Sequence, residues 1–217
     1  PRSTPKPSSA ASDVYKRQVW RRQATGTVAE ILGERELTRD IGARLHQFRG
    51  DITTELNHYH DRGEDIVMAF VDGINAYITH TEQHPDLLPI EFELLGITPG
   101  HWTPEVVISR HNGLVSNVTQ ELNTARAVAL LGAEAVKELN YYYGDPDLTL
   151  DPAIYVSIMT DDILRLYRAH RRNIEFLPED VALAYRGDPT AVDRLAQALP
   201  SELDMQHQDY ESIGSNN

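Results

Sequence analysis

Cysteine is absent from this 217-residue chain, which excludes disulfides and thiolate metal sites within it and leaves both oxidising and reducing compartments open. No apolar run approaches the roughly 18–20 residues that a membrane-spanning helix requires. Aromatic residues are scarce at 7%, with two tryptophans, so a core has to be built largely from aliphatic side chains. Basic residues are also few: 20 Lys and Arg stand against 33 Asp and Glu, a net charge of −13. Such a surface disfavours nucleic acid and anionic membranes as partners, and the densest basic cluster, residues 165–172, is short. Strand-like alternation is rare, and there is no internal repeat.

What is present is helical periodicity. Ile66, Val67, Phe70, Val71, Ile74, Tyr77 and Ile78 recur at spacings of three and four, predicting a helix over residues 64–81 with one apolar face. Pro104 and Glu105 open a second helix behind Thr103 as N-cap, and residues 122–131, stopped by Gly132, form a third. Ile154, Ile158, Leu164 and Tyr167 predict one continuous helix after Asp151-Pro152, and residues 189–199 a short last one. Linkers are expected at 144–152 and 200–214. With 41% hydrophobic residues, about 200 residues suffice for one domain with a sizeable core.

Several blocks carry a resemblance. Trp20-Arg21-Arg22-Gln23-Ala24-Thr25-Gly26 continues into Ala29-Glu30-Ile31-Leu32-Gly33; Asp72-Gly73-Ile74-Asn75-Ala76-Tyr77 comes after it. Then comes Leu88-Pro89-Ile90-Glu91-Phe92-Glu93-Leu94-Leu95-Gly96, closed by Trp102-Thr103-Pro104-Glu105, and the chain ends in Gly214-Ser215-Asn216-Asn217. In this order the blocks resemble the penicillin acylase family of N-terminal-nucleophile hydrolases over most of residues 19–151, leading to a Gly-Ser like the family's self-cleavage site. The resemblance implies that a precursor cuts itself between Gly214 and Ser215, so that Ser215 starts a new chain. An α-amine with a pKa near 8 then takes the proton of the hydroxyl on the same residue. Glycine before the serine suits a strained scissile bond.

It further implies that the chain is a fragment: most of an α-subunit (19–199), a spacer (200–214) and the first residues of the catalytic β-subunit (215–217). The fragment is expected to be mainly α, the helical flank of an α/β/β/α assembly whose sheets are largely missing, with exposed apolar surface where the sheets would sit. Its partner would be the β-subunit of the same precursor and its substrate a small acylated amide, of the β-lactam side-chain or acyl-homoserine-lactone type. The resemblance places the protein in the periplasm or outside the cell, and the fragment alone is expected to be inactive.

Residues 1–18 are of a different kind. Ser8 to Gln18 back-translate codon for codon into what looks like a transposon-based sequencing adaptor, and Pro1 to Thr4 into its upstream primer stretch. They are expected to be a disordered library scar. Setting aside Arg2, Lys6, Lys16, Arg17 and Asp13 leaves 16 basic against 32 acidic residues, or −16.

Three candidate site groups remain. Glu121 lies where the family places a glutamate ligand to a structural calcium, whose other ligands belong to the catalytic subunit; a solvated or capping carboxylate is the alternative. No cofactor is expected for catalysis. Counting back from Glu121 places Leu114 and Val115 where some members carry an Arg-Phe pair beside the acyl pocket. Aliphatic residues there disfavour an aromatic acyl group and suit an aliphatic one, with core packing as the alternative. His80 and His84 are spaced i, i+4 but precede Pro85 and lack a His-Glu-x-x-His pattern, so zinc is not expected. His58 and His60, with Asp145, Asp147 and Asp151, read as surface and turn residues. The competing function is a non-catalytic helical binding module whose Gly-Ser tail is accidental.

Overall fold

The computed structural model describes residues 9–112 and 117–197. Among them there are helices and turns and no β-strand, so the chain is mainly α as expected. The helices are α1 (Ser9–Thr25), α2 (Ala29–Leu32), α3 (Leu37–His46), α4 (Ile52–Tyr59), α5 (Gly63–Gln83), α6 (Ile90–Leu95), α7 (Pro104–Asn112), α8 (Val118–Leu131), α9 (Ala133–Leu139), α10 (Arg165–Arg171) and α11 (Ala191–Gln197). Among the described residues no helix is long and apolar enough to cross a membrane.

Residues 9–18 depart from the disordered leader expected of them: they form the first half of α1. The physical reason is that Tyr15, Gln18 and Val19 fall on one helical side, and all three are buried. The helix lies between two apolar clusters. One joins Tyr15 and Val19 to Val28, Phe92, Phe176 and Leu195; the other joins Ala24 to Val71, Ile78, Trp102 and Val106.

Helix α5 forms where the periodicity places it, but its stripe divides. Val71 and Ile78 are buried, with Val67 and Ile74 packed beside them, whereas Ile66, Phe70 and Tyr77 stay 56%, 44% and 37% exposed. The i, i+4, i+7 line inside the stripe meets α1 and α7, and the remaining positions flank it. The helix expected through 154–167 is also corrected: a 3-10 turn, Val156–Thr160, ends at the extended Asp161, and α10 starts afresh. Local bonding competes with the helix here, since Thr160 Oγ1 donates to the Ser157 carbonyl at 2.9 Å and Asp162 pairs with Arg168. Gly132 stops α8 with φ +85°. Asp188 accepts from the Thr190 amide at 2.8 Å ahead of α11.

Two adjacent residues of α3 tie distant parts of the chain together. The Arg39 side chain is 1% exposed. Its Nε donates to Glu36 at 2.5 Å, and its other nitrogens donate to the carbonyls of His170 (3.3 Å), Asn173 (2.6 Å) and Arg172, where α10 ends. Asp40 accepts from the amides of Val28 (2.9 Å) and Ala29 (2.8 Å), where α2 begins. A cation thus satisfies the open carbonyls at one helix end and an anion the open amides at another. Arg35 adds a two-pronged pair with Asp180 at 2.8 and 2.5 Å. Arg39→Met keeps the stem and removes the guanidinium, leaving buried Glu36 and three carbonyls short of a donor. Urea denaturation is expected to show a loss of about 3–5 kcal/mol, and a loss below about 1 kcal/mol would contradict this role.

Candidate functional site

The stretch from Gly96 to α8 carries the candidate residues, and its placement starts with a loop. Gly96 ends α6 in the left-handed region at φ +63°, and its amide and that of Ile97 close the helix on the carbonyls of Glu93 (3.2 Å) and Phe92 (3.0 Å). Two side-chain amides then hold the loop to the core. Gln18 exchanges two hydrogen bonds with Gly100, donating to its carbonyl (3.0 Å) and accepting from its amide (2.9 Å). Asn75, midway along α5, does the same with Trp102, donating at 2.9 Å and accepting at 2.8 Å. Arg21 adds a bond from Nε to the His101 carbonyl at 2.7 Å.

Helix α7 starts directly after these contacts, with the amides of Val106 and Val107 on the Thr103 carbonyl. Val106, Ile108 and Ser109 are buried. The Phe48 amide donates to Ser109 Oγ at 3.1 Å, and the Arg110 guanidinium lies 4.9 Å from the Trp20 ring centroid. Trp20, Asn75 and Trp102 come from three of the sequence blocks that carry the family resemblance, and the structure brings them to one helix.

Leu114, Val115, Gly214 and Ser215 lie outside the described residues. Glu121 is exposed in the first turn of α8, where one carboxylate oxygen accepts from Asn117 Nδ2 at 2.6 Å. The second Glu121 oxygen and Asn117 Oδ1 are hard donors, yet calcium takes about six to eight oxygens. Among the described residues no group of three or more His, Cys, Asp or Glu is placed to hold a metal. This chain's described residues therefore do not make a calcium cage by themselves.

Beside Glu121, a groove of about 590 Å³ runs between α8 and the residues after α9, lined by Thr119, Gln120, Asn123, Thr124, Asn140 and Tyr142 among others. Its lining offers hydroxyls, amides and two phenols, and no carboxylate, imidazole or ammonium. The residues set aside as non-sites are engaged locally. His80 and His84 rings sit 4.5 Å apart with His84 Nδ1 on the His80 carbonyl, and His60 accepts from the Arg62 amide. Asp147 and Asp151 close turns on Thr149 and Ala153, each at 2.8 Å, and the hydrogen bond from Thr149 holds the Asp147 carboxyl below its usual range. In the sequence Asn75 stands out only as part of its motif. The one local signal for its role is an amide at an inward-facing helix position, where asparagine is otherwise unfavourable.

The family model described as penicillin amidase matches residues 9–217. Penicillin G acylase of Escherichia coli is 29% identical over 109 residues, 50% of this chain and 13% of that protein. Penicillin acylase 2 proenzyme of Pseudomonas sp. (strain SE83) is 29% identical over 146 residues, 66% of this chain and 18% of that protein. The chain thus spans less than a fifth of either relative.

Asn75→Asp preserves shape but sets a carboxylate against the Trp102 carbonyl. Chemical denaturation at neutral pH is expected to show a loss of about 1–3 kcal/mol, against at most about 0.5 kcal/mol for Asp72→Asn on the exposed side of the same helix. Equal effects would rule out the clamp.

Proposed function

The chain belongs to the penicillin amidase family, and from that premise we propose that it is part of a self-processing acylase whose nucleophile is Ser215. One observation carries the reading: the family match runs through Gly214-Ser215 to the last residue. Supporting it, one of the relatives is named a proenzyme. In this reading Ser215, freed at its amine, attacks the carbonyl of a small acyl amide and the amine product leaves. Water then hydrolyses the ester, releasing the acid and restoring the hydroxyl. The donors that stabilise the tetrahedral oxyanion come from the remainder of the precursor.

Leu114 and Val115, four and five positions after Arg110 in the sequence, border the acyl pocket in this reading. Glu121 supplies one oxygen to a calcium whose other ligands lie in the catalytic subunit. That subunit also covers the exposed apolar side chains, among them Leu37, Ile41 and Leu45 in line on α3, at 48%, 55% and 57% exposure, and Leu130, Leu139, Tyr141 and Tyr143 on and after α8 and α9, at 72% or more. A face so apolar is otherwise costly to leave in water.

The complete precursor is the protein to test, with N-acyl amides of short, medium and long straight chains and one arylacetyl amide. The expected result is turnover, with a straight-chain substrate preferred over the arylacetyl one by about tenfold or more in kcat/KM, and bound calcium reduced in Glu121→Gln. Absence of turnover on every amide overturns the acylase reading, while preference for the arylacetyl amide overturns the assignment of Leu114 and Val115 alone.

A further inference from the structure

Helices α3 and α10 pack more extensively than any other pair, and their backbones touch. A Cβ on Gly42 would stand 2.3 Å from the Leu166 carbonyl oxygen and 3.2 Å from His170 Cβ. At the C-terminal ends of both helices two imidazoles face each other: His46 and His170 stack with ring centroids 4.7 Å apart and planes 19° from parallel. The Nδ1 of each ring faces the carbonyl one turn back, Gly42 at 2.9 Å for His46 and Leu166 at 3.4 Å for His170. The Tyr167 ring, buried, presents its edge to both, at 5.7 and 5.6 Å.

The surroundings suit a neutral pair. From α3 the groups facing His170 are His46 and, at its carbonyl, the Arg39 guanidinium; from its own helix they are Tyr167 and Arg171, whose guanidinium lies 5.3 Å from the Tyr167 ring centroid. Of the ionisable groups acting on the ring, His46 and Arg171 oppose a proton, and only the backbone carbonyls of Leu166 and Tyr167 favour one. Burial chiefly, then His46 and Arg171, hold His170 below the ordinary histidine value. A positive charge on His170, stacked 4.7 Å from the His46 ring and half-buried, has no carboxylate to offset it among the groups named.

We propose that the His46–His170 stack is an acid-sensitive latch on the α3–α10 joint: with His170 neutral the stacked rings hold the two helix ends together, and protonation of His170 parts the rings and loosens α10. The inference stands apart from the acylase reading, because it concerns only residues of this chain and is read by stability. The direction comes from linkage. A histidine whose folded pKa is depressed contributes stability that is present above its unfolded value near 6.5 and lost as pH falls below it.

Thermal melts of the chain between pH 8 and pH 5, with the ring protons of both histidines monitored by NMR, test the latch in wild type, His46→Gln, His170→Gln and the double variant. The wild-type midpoint is expected to fall over this range by about 3 °C or more beyond the fall in His170→Gln, with His46→Gln giving part of that relief and the double variant no more than His170→Gln. In the wild type the His170 titration should lie below the ordinary histidine value, and it should rise when His46 is replaced. If His170→Gln does not fold, His46→Gln decides, since its side chain is exposed. The same pH dependence in wild type and variants, or a His170 titration at the ordinary value in the wild type, overturns the proposal.

Discussion

The placement of α10 and the residues around it depends on what Arg39 does. Its guanidinium is buried with Glu36 and gives its remaining donors to three carbonyls at the end of α10, so a seven-residue helix far along the chain is held to one of the earliest. Burying a cation is tolerated only when it is paired and its donors are used, and here both conditions are met. Next to it, Asp40 uses both oxygens on the start of α2. One turn of α3 therefore orients elements on two sides, and the apolar clusters around α1 fill the space between them.

The same economy of hydrogen bonds governs the region that bears on function. Gln18 and Asn75 each satisfy an amide and a carbonyl of the loop before α7. A loop carries unpaired backbone groups into the interior only when something pairs them, and two carboxamides do so here. Helix α7 inherits its position from that pairing and from Trp102 and Val106 in the second apolar cluster. A helix of this length spans about 13 Å at about 1.5 Å per residue, so a small tilt at its start is enlarged at its far end.

Periodicity makes the helices around residues 64–81, 104 onward and 122–131 legible from sequence alone, because each combines an apolar line with a stop or start residue. It does not distinguish the inner line of α5, Val67, Val71, Ile74 and Ile78, from Ile66, Phe70 and Tyr77 beside it. That choice is made by packing against residues of α1 and α7 such as Ala24 and Val106. Nothing in the sequence singles out Arg39 and Asp40, since apart from Glu36 their partners are backbone groups up to 134 positions away. The break at Asp161 is hidden by apolar residues that keep helical spacing across it. The mainly helical class and the family are legible, the latter from ordered blocks such as Asp72-Gly73-Ile74-Asn75. The roles of Leu114, Val115, Glu121 and Ser215 rest on the resemblance, because Leu114, Val115 and Ser215 lie outside the described residues and Glu121 is shown there only with Asn117.

The central claim is that Ser215 becomes a chain start, and the intact mass of the complete precursor, expressed beside Ser215→Ala, tests it most directly. Two chains whose masses place the cut between Gly214 and Ser215, in wild type alone, are the predicted result. A single uncut chain in both proteins would contradict it and return the helical binding module to first place.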